Sequence, residues 1–218
     1  MLAPNEDTLL AGLPSAPAAL AAGAPPGIIG PNAIIRMAEA LTKLRGPEVC
    51  RAVFTDAGVA HYLATPPADM VDERDVARLQ RALFDRMGEK EAGVLSREAG
   101  RLTGEYLLAN RIPKLAQRAL RLMPRRLAAQ ALVKAIGRHA WTFAGSGVFS
   151  HEFTANGLVL RIGASPLCRL LKTAEPACHY YAGTFERVFG SMLGPATRAV
   201  EFECLASGGR TCAFLVTW

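Results

Sequence analysis

The sequence predicts an α+β protein, with a helical N-terminal half followed by an antiparallel sheet that carries one late helix and is closed by a Cys/Glu metal site. Apolar residues recur at helical spacing before His139, which is typical of amphipathic helices. After His139 they fall in short runs separated by glycines, and Asn156-Gly157 between two such runs indicates a β-hairpin. Helices that precede a group of strands are typical of the α+β class.

Prolines and glycines divide the chain into elements. Pro31 is well placed in a first helical turn, and the helix that it begins ends at Gly46-Pro47. Gly88 is the predicted C-cap of a later helix. Further helices are predicted over residues 48–57, 69–87, 89–110, 113–123, 124–137 and 176–193, with strands over 198–205 and 211–218. We expect three parts: a mobile Ala/Pro-rich arm (1–27), a helical N-terminal region (28–84) and a C-terminal domain (85–218).

The composition is that of a globular protein, which we expect to be cytoplasmic. Half of the 218 residues are hydrophobic and 20% are charged, so the chain can form a core. The net charge of +6 is modest for a nucleic-acid-binding protein, and we expect no nucleic-acid partner. Prolines interrupt the uncharged stretch 8–35, which argues against a membrane-spanning helix. No secretory signal is visible, so the five cysteines are expected to be ligands or buried thiols.

Three cysteines and a carboxylate form a candidate zinc site in the C-terminal third: Cys178, Glu201, Cys204 and Cys212. Thiolates and a carboxylate are suitable zinc ligands, and four of them fill a tetrahedral site. Cys178 lies in the predicted first turn of the late helix, where the helix dipole stabilises a thiolate. The other three residues lie on two strands joined by a glycine turn. Three buried cysteines in an ordinary core are the alternative.

The neighbours of these residues leave two questions open. Glu203 and His179 are each adjacent to a predicted ligand, and either could replace Glu201 in the fourth position. Arg210 and the Gly208-Gly209 amides are the expected hydrogen-bond donors to the negatively charged site. The remaining cysteines, Cys50 and Cys168, are interpreted as core thiols.

The same residues carry a family resemblance. Residues 178–183 (CHYYAG), 200–204 (VEFEC) and 209–214 (GRTCAF) resemble the 4-vinyl-reductase domain, a small-molecule-binding module also found in phenol-sensing transcription activators. In those sensors the corresponding Cys, Glu, Cys and Cys bind zinc, so the resemblance implies a structural zinc here. It covers residues 85–218, and it makes this part a 4-vinyl-reductase-type domain. The chain lacks the ATPase and DNA-binding domains of the sensors.

The whole-chain plan resembles the family members of bacteriochlorophyll biosynthesis. This resemblance implies binding of a divinyl (proto)chlorophyllide-type magnesium tetrapyrrole at the 8-vinyl (4-vinyl) reduction step. The sequence shows no nicotinamide, flavin or iron–sulfur motif, and the GSGVFS segment at 145–150 lacks the third glycine of a dinucleotide-binding loop. A carrier or accessory protein is therefore favoured. The alternatives are the 4-vinyl reductase itself, or a zinc-containing sensor or scaffold module for a small aromatic ligand.

The partners implied are the pigment intermediate, other enzymes of bacteriochlorophyll synthesis and a second copy of the chain. A basic segment bears on a further partner, because residues 107–150 contain no Asp or Glu. Lys114, Arg118, Arg121 and Arg125 fall on one helical face. Arg118 and Arg121 could hold a pigment propionate, or this face could lie against an anionic membrane as a peripheral contact of the photosynthetic membrane. It could also be a solvated face opposite the acid-rich segment 69–105.

Aromatic residues and histidines suggest where the macrocycle binds. His139 and His151 flank a run of aromatic residues, and a neutral imidazole can ligate the magnesium of a tetrapyrrole. The candidate pocket residues are His139, Trp141, Phe143, His151, Phe153 and Tyr181. Ordinary core packing is the alternative for all of them.

Overall fold

The computed structural model describes residues 27–218. The arm predicted over 1–27 therefore lies outside the described residues, apart from Gly27. The helices are α1 (Asn32–Arg45), α2 (Pro47–Asp56), α3 (His61–Ala64), α4 (Glu73–Asn110), α5 (Lys114–Leu122), α6 (Arg125–Arg138), α7 (Trp141–Ala144) and α8 (His179–Leu193). The strands are β1 (Ile28–Ile29), β2 (Val71–Asp72), β3 (Val148–Thr154), β4 (Gly157–Gly163), β5 (Arg198–Glu203) and β6 (Cys212–Thr217). The α+β class is confirmed.

The N-terminal helices pack on the first half of α4. The predicted apolar stripe of α1 is buried there, with Ile34, Met37 and Leu41 each at most 1% exposed. Gly46, at φ +89°, ends α1 where the sequence predicts. Gly88 is the one residue of α4 with non-helical backbone angles (φ 75°, ψ 161°), so the break predicted there is present as a kink between two helical segments.

The four-stranded antiparallel sheet has the order β3-β4-β6-β5. The predicted hairpin is confirmed, since Thr154 pairs with Gly157 across the Asn156-Gly157 turn. One face of the sheet is buried and presents side chains that alternate along the strands. Leu160 of β4 and Phe214 of β6 are partners on this face, and both are fully buried. Helix α8 covers this face through a ring contact between Phe185 and Phe214, at 5.4 Å between centroids.

Glycines bring α4 and α8 into close contact. A Cβ on Gly100 would lie 2.0 Å from the carbonyl oxygen of Tyr180, and a Cβ on Gly183 would lie 2.3 Å from that of Arg97. Only glycine permits this approach, because any side chain would overlap the opposite backbone. The contact joins the helical half of the molecule to the sheet and its late helix.

Two predicted boundaries need correction. The run beginning at Trp141 reads as a short extended segment in the sequence, but it forms the helical turn α7, which Gly145 ends at φ +58°. Helix α8 begins at His179 rather than at Pro176, so Cys178 precedes the helix and is not in its first turn. No helix among the described residues is long and apolar enough to cross a membrane.

Candidate metal centre

Four buried cysteines lie together beneath the sheet: Cys168, Cys178, Cys204 and Cys212. Their sulfur atoms all lie within 4.8 Å of one another. The Cys212 sulfur is 3.2 Å from that of Cys178, 3.3 Å from that of Cys168 and 3.8 Å from that of Cys204. Each of the four residues is at most 2% exposed. The cluster is therefore closed to solvent.

Each cysteine comes from the end of a different element. Cys168 ends a short 3-10 turn after β4, and Cys178 directly precedes α8. Cys204 follows β5, and Cys212 begins β6 opposite Ile162 of β4. The turn between Cys204 and Cys212 passes through Gly208 in the left-handed region (φ 92°). The metal site predicted from three of these cysteines thus rests on a helix start and a two-stranded ribbon that do meet.

The spacing of the sulfurs suits a tetrahedral metal ion. Four ligands at the usual Zn–S bond length of about 2.3 Å would place their sulfurs about 3.8 Å apart. The observed separations of 3.2–3.8 Å from Cys212 are slightly shorter than that value or equal to it. All four cysteines are free thiols rather than disulfides. Tetrahedral sets of four sulfurs are typical of zinc and of iron–sulfur centres.

Burial and thiol contacts set the protonation of the cluster in opposite directions. Burial raises the pKa of the Cys178 thiol well above its usual value. Hydrogen bonds from the Cys168, Cys178 and Cys212 thiols lower the pKa of Cys204, and the backbone N–H of Ala177 donates to its sulfur at 3.4 Å. The cluster thus concentrates negative charge at Cys204, which is the charge that a cation would neutralise.

Glu201 lies beside the cluster but is not one of the four residues that converge. Its Oε2 accepts a hydrogen bond of 2.7 Å from the backbone N–H of Cys178. Its Oε1 is buried and has no hydrogen-bond partner among the described residues. Burial, reinforced by the negative charge of Cys204, raises the pKa of Glu201 to about 9. This free buried oxygen leaves Glu201 available as a ligand, so the predicted Cys/Glu set stays a prediction.

Cys168 is the residue that the sequence interpretation missed, because it was assigned to the ordinary core. Its sulfur is as close to Cys212 as that of Cys178, within 0.1 Å. Nothing in the local pattern around residue 168 distinguishes a ligand from a core thiol. The only sequence signal was the number of cysteines left in the C-terminal third, which is four.

The other two candidates for the fourth position are engaged elsewhere. Glu203 Oε1 accepts from the backbone N–H groups of Arg210 (2.8 Å) and Thr211 (3.0 Å). His179 packs against Gly93, and burial lowers its pKa. The donor role predicted for Arg210 needs correction, since its N–H is directed to Glu203. Among the described residues, the backbone donor to a cluster sulfur is Ala177.

The candidate pigment residues divide into an inner pair and an outer group. Phe143 and Tyr181 are in edge-to-face contact with ring centroids 6.2 Å apart, and the Tyr181 hydroxyl donates to the Phe143 carbonyl at 2.7 Å. In the outer group Trp141 is 56% exposed, and His139 and His151 are exposed as well.

The remaining candidates lie on two further elements. Phe153 is on β3 beneath the guanidinium of Arg126, which lies 5.5 Å from the ring centroid. Arg118 and Arg121 are exposed on α5, where Arg121 Nε donates to the carbonyl of Ser191 at 2.9 Å. The structure therefore brings Phe143 and Tyr181 into contact and distributes the other candidates over the adjoining surface.

The fold and the buried cysteines define a protein of the 4-vinyl-reductase domain class, since residues 158–217 match the model of that domain family. This stretch contains all four cysteines of the cluster. The resemblance to the 4-vinyl-reductase domain drawn from the sequence is confirmed.

Two relatives extend the match to nearly the whole chain, and both are named bacteriochlorophyll synthase 23 kDa chain. The protein of Cereibacter sphaeroides is 40% identical over 186 residues, which cover 85% of this chain and 88% of the relative. The protein of Rhodobacter capsulatus is 37% identical over 188 residues, which cover 86% of each chain. The chain belongs to this family.

Solved structures resemble the fold over a similar length. An Fe(II) unliganded H-NOX protein from K. algicida aligns with a TM-score of 0.57 at 15% identity, over 87% of this chain and 96% of that chain. A Cs H-NOX protein aligns with a TM-score of 0.50 at 13% identity, again over 87% and 96%. At this identity the likeness concerns the fold alone.

Proposed function

We propose that this protein acts in bacteriochlorophyll biosynthesis, where it binds a divinyl (proto)chlorophyllide-type magnesium tetrapyrrole and carries it at the 8-vinyl (4-vinyl) reduction step. The observation that supports the pathway is the near full-length match, at 40% identity, to a protein named bacteriochlorophyll synthase 23 kDa chain. The carrier role rests on the chemistry of the described residues. A buried cluster of four thiols can hold a cation, but it offers no open position to a substrate.

We propose zinc as the resident ion, held by Cys178, Cys204 and Cys212 together with a fourth ligand from Cys168 or Glu201. Bound zinc would supply a redox-inert cross-link between the start of α8, the β5–β6 ribbon and the turn after β4. The Ala177 N–H, 3.4 Å from the Cys204 sulfur, would stabilise the excess negative charge of the thiolates.

The pigment is proposed to bind on the surface formed by α7 and β3. Trp141 offers an exposed indole, and Phe143 connects this surface to the buried ring of Tyr181. The exposed imidazole of His151 is free to approach a magnesium ion, with its ring 6.3 Å from that of Phe149. An extended apolar ring system gains most from such exposed aromatic area.

Titration of the full chain with divinyl protochlorophyllide, followed by the shift of the Soret band, tests the proposal. We expect saturable binding at micromolar pigment, and about tenfold weaker binding for Trp141→Ala and for His151→Ala, because each removes a contact of about 1–3 kcal/mol. His61→Ala, which alters an exposed histidine on α3, is the matched control and should bind as the unmodified chain does. The absence of a saturable shift would refute the proposal.

The alternative activity, vinyl reduction by the chain itself, has its own test. The isolated protein is incubated with divinyl protochlorophyllide and NADPH, and the monovinyl product is measured. The carrier proposal predicts no product above the protein-free reaction. Turnover by the isolated chain would show that the protein is the reductase.

A further inference from the structure

Residues 114–127, here called the basic apolar tip, expose large hydrophobic side chains next to cations. Leu115 is 76% exposed and Leu122 is 88% exposed, both on α5. Met123 and Leu127, in the following turn, are 38% and 49% exposed. Isolated exposed leucines are common, but four large apolar side chains within thirteen residues form a patch that calls for a partner.

Helix α5 is fixed in an orientation that turns this patch outward. Gln117 is its one buried residue, and the Gln117 side-chain amide donates to the carbonyl oxygens of Leu108 and Ile112. Leu115 and Leu122 are seven residues apart and lie on a common face, away from Gln117. Helix α6 is anchored independently through its buried residues Ala128, Ala129, Leu132 and Val133.

The cations of the tip have no carboxylate partners. Lys114, Arg118, Arg121, Arg125 and Arg126 are all exposed, and none of them forms an ion pair within the described residues. Residues 107–150 contain no Asp or Glu that could neutralise them locally.

The carboxylates of the acid-rich segment 69–105 are paired elsewhere. Glu98 pairs with Lys43 and Arg101, and Glu105 pairs with Arg101 and Arg187. The interpretation of α5 as a solvated face opposite that segment is therefore not supported, since the ion pairs of these carboxylates go to other helices. The positive charge of the tip is left for an external anion.

We propose that the basic apolar tip binds the surface of an anionic lipid bilayer. Exposed leucines beside unpaired arginines match the two parts of that surface, because the leucines can enter the acyl boundary while the guanidinium groups contact lipid phosphates. A short amphipathic helix of this kind lies in the interface plane, so the contact is peripheral. This inference goes beyond the proposed carrier function and does not depend on it.

Vesicle flotation with the full chain tests the proposal. We expect the protein to float with vesicles of phosphatidylcholine containing about 30% phosphatidylglycerol, and to remain unbound with pure phosphatidylcholine. Binding should weaken as salt rises from about 50 to about 500 mM. Equal binding to both vesicle types, or no binding to either, would overturn the proposal.

Two double variants separate the apolar and the charged contributions. Leu115→Ser with Leu122→Ser should lower the partition coefficient about tenfold, and Arg118→Gln with Arg125→Gln should lower it about tenfold or more. The matched controls are Val94→Ser on α4, which changes a residue that is 57% exposed, and Lys90→Gln with Lys172→Gln, which removes two exposed charges outside the tip. Equal loss in the controls would refute a specific surface.

A pigment propionate is the competing partner of Arg118 and Arg121. If Arg118→Gln with Arg125→Gln weakens divinyl protochlorophyllide binding in vesicle-free buffer but leaves vesicle flotation unchanged, the cations serve the pigment and the membrane proposal is wrong. If flotation is lost and the pigment titration is unchanged, the tip is a lipid-binding surface. Failure of the pigment titration in every variant bears on the carrier function alone.

Discussion

At the scale of single residues, the central question is which side chain completes the cysteine cluster. Cys168 converges on Cys212 with the other two cysteines, whereas the Glu201 carboxylate accepts from the Cys178 N–H and keeps one buried oxygen without a partner among the described residues. Both arrangements give four ligands. The geometry favours four cysteines, because the four sulfurs already lie within 4.8 Å of one another.

Metal analysis of single variants will distinguish the two sets. We expect Cys204→Ser, Cys212→Ser and Cys168→Ser each to lower zinc affinity at least about tenfold, while Glu201→Gln retains one zinc per chain. Cobalt substitution gives a second measurement, since the thiolate charge-transfer absorption should weaken in Cys168→Ser. Cys50→Ser, which alters a buried thiol on α2, is the control.

The opposite pattern, with zinc retained in Cys168→Ser and lost in Glu201→Gln, would establish the Cys/Glu set predicted from the sequence. Full zinc content in both Cys204→Ser and Cys212→Ser would exclude the site altogether.

Glu73 is a second residue whose role depends on tertiary contacts. Its carboxylate is 1% exposed and accepts hydrogen bonds from the backbone N–H (2.8 Å) and the hydroxyl (2.7 Å) of Ser146. It also forms an ion pair with Arg169. Burial acts to raise the pKa of Glu73, but the hydrogen bonds from Ser146 and Arg169 outweigh it and hold the pKa below the usual 4.5.

Replacing Glu73 should therefore destabilise the protein in a pH-dependent way. We expect Glu73→Gln to lower the free energy of unfolding by about 3 kcal/mol at pH 7, because the buried Arg169 loses its counter-charge. Since the folded-state pKa is depressed, the stabilisation is complete above about pH 4.5 and disappears as the pH falls through the folded-state pKa. Urea unfolding between pH 7 and pH 3 measures this difference. Glu48→Gln, at an ion pair whose carboxylate side chain is 81% exposed, should cost less than about 0.5 kcal/mol.

At the scale of elements, the α4–α8 contact holds the two halves of the molecule together. Glycines on both helices allow backbone to meet backbone, as the 2.0 Å and 2.3 Å distances for added Cβ atoms demonstrate. Helix propensity alone would disfavour these glycines by about 1 kcal/mol each, so packing is the reason for them. Their location in two separate helices explains why neither helix pattern reveals the contact.

Gly100→Ala should separate the two helices locally. We expect a loss of about 2–3 kcal/mol in the free energy of unfolding, because the new methyl group would overlap the Tyr180 carbonyl. Gly137→Ala in α6 is the matched control, since its Cβ would lie 3.8 Å from the Phe149 ring, an ordinary contact. That control should be neutral or stabilising by up to about 1 kcal/mol. Similar losses for both variants in urea unfolding would contradict the interpretation of the contact.

At the scale of the whole molecule, the cysteine cluster joins parts of the chain that are up to 44 residues apart in sequence. The ends of β4, α8, β5 and β6 meet at one buried point, so an ion there would stabilise the folded state over the unfolded chain. This arrangement gives metal binding a direct effect on global stability.

Removing the metal should lower the melting temperature. Zinc at about a hundred to a thousand times its Kd adds about 3–4 kcal/mol, which corresponds to about 10 °C for a chain of this size. Thermal unfolding of the full chain with and without a chelator measures the effect. Cys212→Ser should melt at the same temperature under both conditions, and an unmodified chain insensitive to chelation after confirmed zinc loss would refute a structural role.

The sequence by itself determined the α+β class, the helix ends at Gly46 and Gly88, the Asn156-Gly157 hairpin and the convergence of Cys178, Cys204 and Cys212. These features depend on local periodicity, on turn residues and on short spacings, which a single stretch of chain contains. Only the tertiary structure decided that Cys168 joins the cluster, that glycines of α4 and α8 meet and that the cations of α5 are left without ion pairs among the described residues. Those facts depend on side chains from distant segments, and their mutual distances are set by packing rather than by any local pattern.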